Sequence, residues 1–273
     1  MNNPMINGSI VQTSAHRHSK LPSYNLAIEP AIRAHWAEQS QNDLLAALPK
    51  DDLDFLLPHL ELIELPAGKE LYEYGRKYHC VFFPTTAIVS LLYVTVDGAT
   101  TEIAVVGHEG GVGLSLMMGD STIGNAVVQS GGWGYRIKAQ ALKEAFTRGG
   151  ALPLLLMRYN HALFSQMAQN AVSSRHYSIE QQLCRWLLDR LDRLFSNELH
   201  VTQEFIASML GVRRESVTEA ARNLQLDGFI QYKRGKITVI NRAGLEERAG
   251  ECYQVAKDEF DLLLAQSSHM QSQ

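Results

Sequence analysis

VTQEFIASMLGVRRESVTEAARNLQLDGFIQYKRGKITVI, residues 201 to 240, decides how the rest of the chain is read. Thr202, with Phe205 three places on, can open a short helix whose apolar face is Ile206, Met209 and Leu210. Gly211 follows at once and suits the positive φ that ends a helix and turns the chain sharply. A second helix is expected from Arg213 to about Gln225, burying Val217, Ala220, Ala221 and Leu224. Ala207 is small where two helices would cross, Gly211 sits four residues later in the turn, and Val217 lies six beyond as an apolar anchor. Together these are the spacings of a helix-turn-helix. Two β-prone runs, Phe229 to Tyr232 and Lys236 to Ile240, then flank Lys233, Arg234 and Gly235. That is a hairpin wing with positive charge at its tip.

The second helix of such a unit enters the major groove by its N-terminal residues. Here these are Arg213, Arg214, Glu215 and Ser216, followed a turn later by Thr218, Glu219 and Arg222. Arginine can grip guanine O6 and N7 with two hydrogen bonds and glutamate can accept from cytosine N4, so an Arg-Glu start suits a G·C step. Thr202 and Gln203, at the start of the first helix, complete the groove-facing set. Lys233, Arg234 and Lys236 on the wing are placed to meet phosphate. From Val201 to Arg242 there are seven positive and four negative charges, a local excess of +3.

That excess sits in a chain of opposite sign. The 273 residues carry a formal charge of −4, which argues against polyanion binding by the whole surface and leaves a local basic site open. The length predicts about two domains. The longest apolar stretches, Ile88 to Val96 and Ala151 to Met157, fall short of the ~20 residues a membrane helix needs. Met1 to Asn7 lacks the basic start and apolar core of a secretory signal, so a cytoplasmic protein is expected. Cys80, Cys184 and Cys252 are an odd number and far apart, which speaks against a disulfide scaffold and a tetrathiolate metal site.

Working outward from the wing, residues 1 to 40 read as a polar, disordered tail with a short helix around Pro30 to Gln39. A helix is expected over Asp51 to His59. From Glu61 to Arg136, β-prone runs alternate with turn residues, with no helical crossovers between them, as in a jelly roll or barrel. Helical periodicity returns at Ala139. Beyond Pro153, the residues Leu156, Tyr159, Leu163, Met167, Asn170 and Ser174 form a stripe expected to face a second copy of the chain. In the next helix, about Ser178 to Phe195, Leu183, Trp186, Leu187 and Leu191 share an apolar face. The opposite face, Arg185, Asp189, Arg190, Asp192 and Arg193, reads as a solvated charge run. Residues Ala243 to Ala265 look helical and are given no function.

The stretch from Leu44 to Arg242 resembles the Crp/Fnr family of bacterial transcription regulators, most specifically in GVRRESVTEAARNLQLDGFIQYKRGKITVINR. The resemblance implies an α+β chain: an eight-stranded jelly roll of the cyclic-nucleotide-binding type (a double-stranded β-helix) over 41–150, a long dimerisation helix over 151–176 and a winged helix-turn-helix over 177–242. The remainder, 243–273, is a C-terminal helix and tail. It further implies a homodimer that binds a palindromic operator in double-stranded DNA and works with RNA polymerase. Arg214 and Glu215 match the family's base-reading pair, whereas Glu219 stands where several members have another arginine.

The sensor half departs from the pattern. Members that bind cyclic nucleotide use Gly-Glu-Leu and, further on, Arg-Ser-Ala; here Val112 replaces the glutamate and Gly124-Asn125-Ala126 replaces the second element. No Lys or Arg occurs from Ala99 to Tyr135, although Glu102, Glu109 and Asp120 do. A buried phosphate there would lack a counter-charge. Gly110, Gly111, Val112, Gly113, Gly124 and Asn125 are left as a candidate pocket for an unidentified effector, and no cofactor is expected. The four-cysteine cluster of the oxygen-sensing branch has only Cys80 to build on. A haem would have to use His79, Cys80 or His108, each without a paired ligand in sequence.

Two other classes compete. A cupin-like metalloenzyme would want two histidines one residue apart on a strand, and neither His79 nor His108 has such a partner. Neither Gly-x-Ser-x-Gly nor a phosphate-loop lysine is present, so no catalytic or metal residue is assigned. A ligand-binding or protein-interaction module without specific DNA binding would leave the Arg-Glu start and basic wing unexplained.

Overall fold

The computed structural model describes residues 42 to 270, except Asp97, residues 118 to 121, Ile123 and Phe195. The expected tail and its helix at Pro30 to Gln39 lie outside the described residues. Asn42, the first described residue, is fully buried. Its side-chain oxygen caps α1 (Asp43–Ala46) by accepting from the Leu45 amide at 3.1 Å. Its Nδ2 donates to the carbonyls of Pro84, 2.8 Å away, and Gly110, at 2.7 Å. One amide thus serves as helix cap and as tie to two distant loops. The predicted helix over 51–59 is found as α2 (Lys50–Leu56) running into a 3-10 turn, Leu57–His59.

The β-rich region folds into β1 (Glu61–Leu65), β2 (Glu70–Tyr72), β3 (Cys80–Pro84), β4 (Ile88–Val94), β5 (Thr100–Val106), β6 (Asn125–Ser130) and β7 (Gly132–Lys138). Two antiparallel sheets result, in the orders β1-β7-β3 and β2-β6-β4-β5. Seven strands rather than eight are present among the described residues; Val112 adds only an isolated bridge to Phe82. Leu65, Phe82, Val89, Leu91, Val106 and Val128 meet in one buried cluster of the roll. β4 is buried at five successive positions, Ile88 to Leu92, because its outer face is also covered. Leu92 belongs to the core of the C-terminal helices, so the two halves of the chain share a boundary of packed side chains.

Two helices lead out of the roll, α3 (Ala139–Arg148) and the 25-residue α4 (Leu152–His176), with Pro153 in its first turn as expected. The stripe expected to face a second copy instead packs against the chain's own roll. Tyr159 is buried and donates to the Gly111 carbonyl at 2.9 Å, Asn170 donates to the Ile103 carbonyl at 2.7 Å, and Leu163 and Met167 lie against the roll core. Gln166, also buried, accepts from the Val105 amide. The face left in solvent is a different one, with Leu154, Met157, Phe164 and Val172 all exposed and Phe164 most so, at 71%.

The next helix, α5 (Ile179–Leu191), starts in a reciprocal capping box between Ser178 and Gln181. Its apolar face is buried as expected, but so is the face that reads as solvated: Arg185, Asp189 and Arg190 on the helix, and Arg193 just past its end, are all buried. The sheet formed by β2, β6, β4 and β5 supplies what the sequence spacing hides. Arg190 Nη2 donates to both Glu102 oxygens at 2.6 and 2.5 Å, with its guanidinium 3.7 Å from the Trp186 ring centre. Arg193 Nε donates to Glu109 at 2.7 Å, and the same carboxylate accepts from the Gly107 amide. A Cβ at Gly107 would lie 2.8 Å from the Arg193 side chain, so glycine is what lets that arginine in.

β8 (Glu198–His200), α6 (Gln203–Leu210), α7 (Arg214–Leu226), β9 (Ile230–Lys233) and β10 (Lys236–Val239) follow, and then α8 (Arg242–Ala249) and α9 (Glu251–Met270). The segment beyond the wing is therefore two helices, broken at Gly250. Leu245 and Ala249 of α8 join the core beneath the helix-turn-helix. α9 returns to α4, where Phe260 meets Tyr159 and Glu259 lies 3.7 Å from His161.

The boundary between the halves generates two stability predictions. Arg190→Ala strands a buried Glu102 carboxylate and should cost about 3–5 kcal/mol in urea unfolding, much of it recovered when Glu102 is also made apolar. His108 Nδ1 donates to the Asp43 carboxylate at 2.7 Å, and that contact raises its pKa above 6.5 against the opposing effect of burial. Its contribution is therefore complete below the unfolded value and fades as pH rises through the folded one. His108→Gln should destabilise most at about pH 6 and progressively less toward pH 8.5; an equal effect at both pH values would refute the linkage.

Candidate nucleic-acid interface

The helix-turn-helix is built as its spacing predicts. Thr202 caps α6 by accepting from the Phe205 amide at 3.2 Å. Gly211 ends it at φ +67°, in the left-handed region, and the Val212 amide returns to the Ala207 carbonyl at 3.0 Å. Arg213 stands at the N-cap of α7 with extended backbone, so the helix proper begins at Arg214 and runs to Leu226. Val217, Ala220, Ala221 and Leu224 are buried against α6 and α5 together with Ile206 and Ala207.

Burial on that side leaves the opposite side of α7 in solvent. Arg213, Arg214, Glu215, Thr218, Glu219 and Arg222 are exposed and Ser216 half-buried. Thr218 donates to Gln203 at 2.8 Å, tying the recognition surface to the start of α6, where Thr202 is exposed and Gln203 half-buried. Arg214 lies 3.9 Å from Glu204 with both side chains largely in solvent, a contact too long and too wet to fix the guanidinium.

β9 and β10 form the wing, with Lys233 paired to Lys236 across a two-residue tip of Arg234 and Gly235. Both tip residues have positive φ, +52° and +76°, the requirement of a tight hairpin whose twist matches its strands. Lys233 and Arg234 are exposed. The wing also has a third strand that sequence reading missed: β8 pairs with β10. It changes the reading of Lys236, whose Nζ bonds Glu198 of β8 at 2.7 Å and holds that carboxyl below its usual range. Arg242, counted in the basic excess, is likewise engaged internally with Asp192, Glu246 and Tyr253. The side chains that project positive charge without such a clamp are Arg213, Arg214, Arg222, Lys233 and Arg234.

The six candidate effector-pocket residues are not brought together as a set. A cavity of about 90 Å³ lies between the roll and α4, and Gly111, Gly113, Gly124 and Asn125 line it with Tyr72 and Leu91. Val112 is fully buried in the bridge to Phe82, and a Cβ on Gly110 would lie 2.5 Å from the Tyr159 ring, so neither opens onto the cavity. The Asn125 amide is engaged with Glu70 and the Tyr74 backbone. Val112 and Gly110 are thus part of the packing between roll and helix rather than of a pocket. Of the haem-ligand candidates, His108 is held between Asp43 and, at 3.4 Å, the Asp192 carbonyl, while burial pushes the half-buried Cys80 thiol up. Among the described residues no three His, Cys, Asp or Glu side chains are grouped to hold a metal ion, and no helix is long and apolar enough to cross a membrane.

Comparison with known proteins agrees with this architecture. The family model of the Crp-like helix-turn-helix domain matches residues 181–248, from α5 through the wing to α8. Comparison with curated protein sequences finds no match. Among solved structures, a putative Crp/Fnr-family regulator from Eubacterium rectale superposes with a TM-score of 0.61 at 18% identity, covering 76% of this chain and 98% of its own. FixK2 from Bradyrhizobium japonicum gives 0.60 at 17% identity, covering 70% and 98%. A Crp-family transcriptional regulator from Thermus thermophilus gives 0.57 at 19%, covering 69% and 97%. With its β sandwich, long helix and winged C-terminal domain, the chain has the fold of the Crp/Fnr-type transcription regulators and carries a Crp-like helix-turn-helix domain.

Proposed function

We propose that the protein is a homodimeric regulator that binds a palindromic operator in double-stranded DNA through α7 and the wing. The observation that carries this reading is the two-sidedness of α7. One side is locked into the core by Val217, Ala221 and Leu224, and the other offers Arg213, Arg214, Glu215, Thr218 and Arg222 to solvent beside the cationic tip at Lys233 and Arg234. A helix so held presents its first turns to a major groove with little freedom to lose. Arg214 and Glu215 are the base-reading pair of this proposal, while Lys233 and Arg234 act on phosphate. Glu219, exposed one turn beyond Glu215, adds negative charge that would disfavour bases offering only acceptors there.

Dimerisation is assigned to the solvent face of α4. Met157, Phe164 and Val172 recur along it with His161 and Ala168, all exposed and spaced by threes and fours. This is the seam of a two-stranded coiled coil, and a two-fold pair would match a two-fold operator. RNA polymerase is the further partner that this role implies, in the cytoplasm. No catalytic residue is assigned. Cyclic nucleotide is not assigned to the roll: the 90 Å³ cavity has no Lys or Arg in its lining, and Glu102 and Glu109 nearby are neutralised from α5.

Selection of bound duplexes from a random library tests the whole reading; absence of an enriched inverted repeat would overturn it. On the selected site, Arg214→Ala should weaken binding by ~1–3 kcal/mol and relax preference at one base pair per half-site. Replacing Lys233 and Arg234 with alanine should weaken all sequences alike and flatten the dependence of affinity on salt. Phe164→Glu should shift the mass seen by light scattering from dimer to monomer while leaving the circular dichroism spectrum unchanged.

A further inference from the structure

A larger cavity, about 270 Å³, opens where the roll, the long helix and the winged domain meet. Its walls include Ile103 of β5, Met167 of α4, Met209 of α6, and Arg185, Trp186 and Asp189 of α5. Three features set it apart from a packing defect. Arg185 is 3% exposed, yet its Nε and Nη2 have no hydrogen-bond partner. Trp186 is equally buried and its Nε1 is also unpartnered. Asp189, the neighbour that could serve Arg185, lies 3.8 Å from its Nε, beyond hydrogen-bond length.

Buried donors without acceptors are rare in folded proteins and mark places where a partner is expected. The nearby anion cannot supply one, because Glu102 already receives Arg190 and the Ser90 hydroxyl. With Glu102 engaged, the site therefore presents three unpartnered N–H donors and one further carboxylate, Asp189, within a single cavity, beside the apolar surfaces of Ile103, Met167 and Met209. Arg185 and Asp189 are of opposite charge, so a ligand carrying only one charge would meet repulsion from one of them. A zwitterion fits both: its carboxylate takes the Arg185 fork and the Trp186 N–H, and its ammonium lies on Asp189. The volume sets the scale of the remainder. A cavity of about 150 Å³ takes a benzene and drug-sized ligands need about 300 Å³ or more.

We propose that this cavity at the domain junction is a binding site for a small α-amino acid with an apolar side chain. Bound there, the ligand would touch β5 and α4 on one side and α5 and α6 on the other. It would thereby fix how the helix-turn-helix is carried by the roll. This regulatory consequence rests on the DNA-binding reading, whereas the binding itself does not.

Calorimetric titration of the full chain without DNA separates the two. L-leucine is the probe, with L-leucinamide lacking the carboxylate and 4-methylpentanoate lacking the ammonium. Leucine should bind at least roughly tenfold more tightly than either analogue. Arg185→Gln should abolish the preference over leucinamide and keep that over 4-methylpentanoate; Asp189→Asn should do the reverse. Ser174→Phe, at an exposed position on the rim and away from the proposed dimer seam, should block binding with the melting temperature unchanged, and so tests the site even if Arg185→Gln fails to fold. No binding of leucine to the wild-type chain, equal affinity for either analogue, or full binding to Ser174→Phe would each overturn the proposal. Any of these could occur with operator binding intact.

Discussion

Two buried guanidinium–carboxylate pairs, Arg190 with Glu102 and Arg193 with Glu109, decide how this chain is put together. Arg190 comes from α5 and Arg193 from just past its end, and their glutamates come from the roll, 88 and 84 residues away. Removing either member would leave its partner's charge stranded, since each is almost wholly removed from water. The pairs need a fixed distance between α5 and β5, and α5 also carries the core on which α7 rests. The exposed arginines of α7 are therefore positioned, through α5, by a contact on the far side of the winged domain.

This dependence separates what is legible in the sequence from what is not. Gly211, the buried spacing around Val217 and the Lys-Arg-Gly-Lys tip depend on interactions within a few residues, and each is found as expected. The charged side of α5 looks like a solvated face because its partners are absent from the neighbouring sequence. Likewise the lack of any Lys or Arg from Ala99 to Tyr135 reads as an uncompensated acidic stretch, while the compensation arrives from another domain. The stripe on α4 departs from expectation for a related reason. Periodicity identifies that Leu156, Tyr159, Leu163 and Met167 share a face, but says nothing of whether the roll or a second chain covers it. α4 carries two such stripes, and the roll covers only one of them, leaving the other in solvent.

The same long-range pairing alters the meaning of the acidic balance. Glu102, Glu109, Asp192 and Glu198 are each engaged by a basic side chain, so they do little to repel a polyanion approaching α7. Arg242 and Lys236 contribute to the formal excess of the winged segment but are held by carboxylates of their own. The charge that a duplex would meet is set by which side chains have no such partner, a quantity visible only once the fold has paired the others. Candidate pockets obey a similar rule. The glycines from 110 to 113 look like a cradle in sequence, yet Gly110 is closed off by Tyr159 and Val112 by Phe82, while the junction cavity is assembled from residues that no local motif connects.

Arg234 is the one described residue other than glycine with positive φ, and it stands at the tip of the wing. A side chain in that region of backbone space costs roughly 1–2 kcal/mol that glycine would not. The chain has thus placed its least comfortable backbone beneath an exposed cation, where packing gains nothing from it. Stability and surface chemistry pull in opposite directions at this position, and surface chemistry prevails. The tip is also short and paired on both sides, so its charges are carried on a stiff bracket whose conformational entropy is surrendered on folding, before any partner arrives.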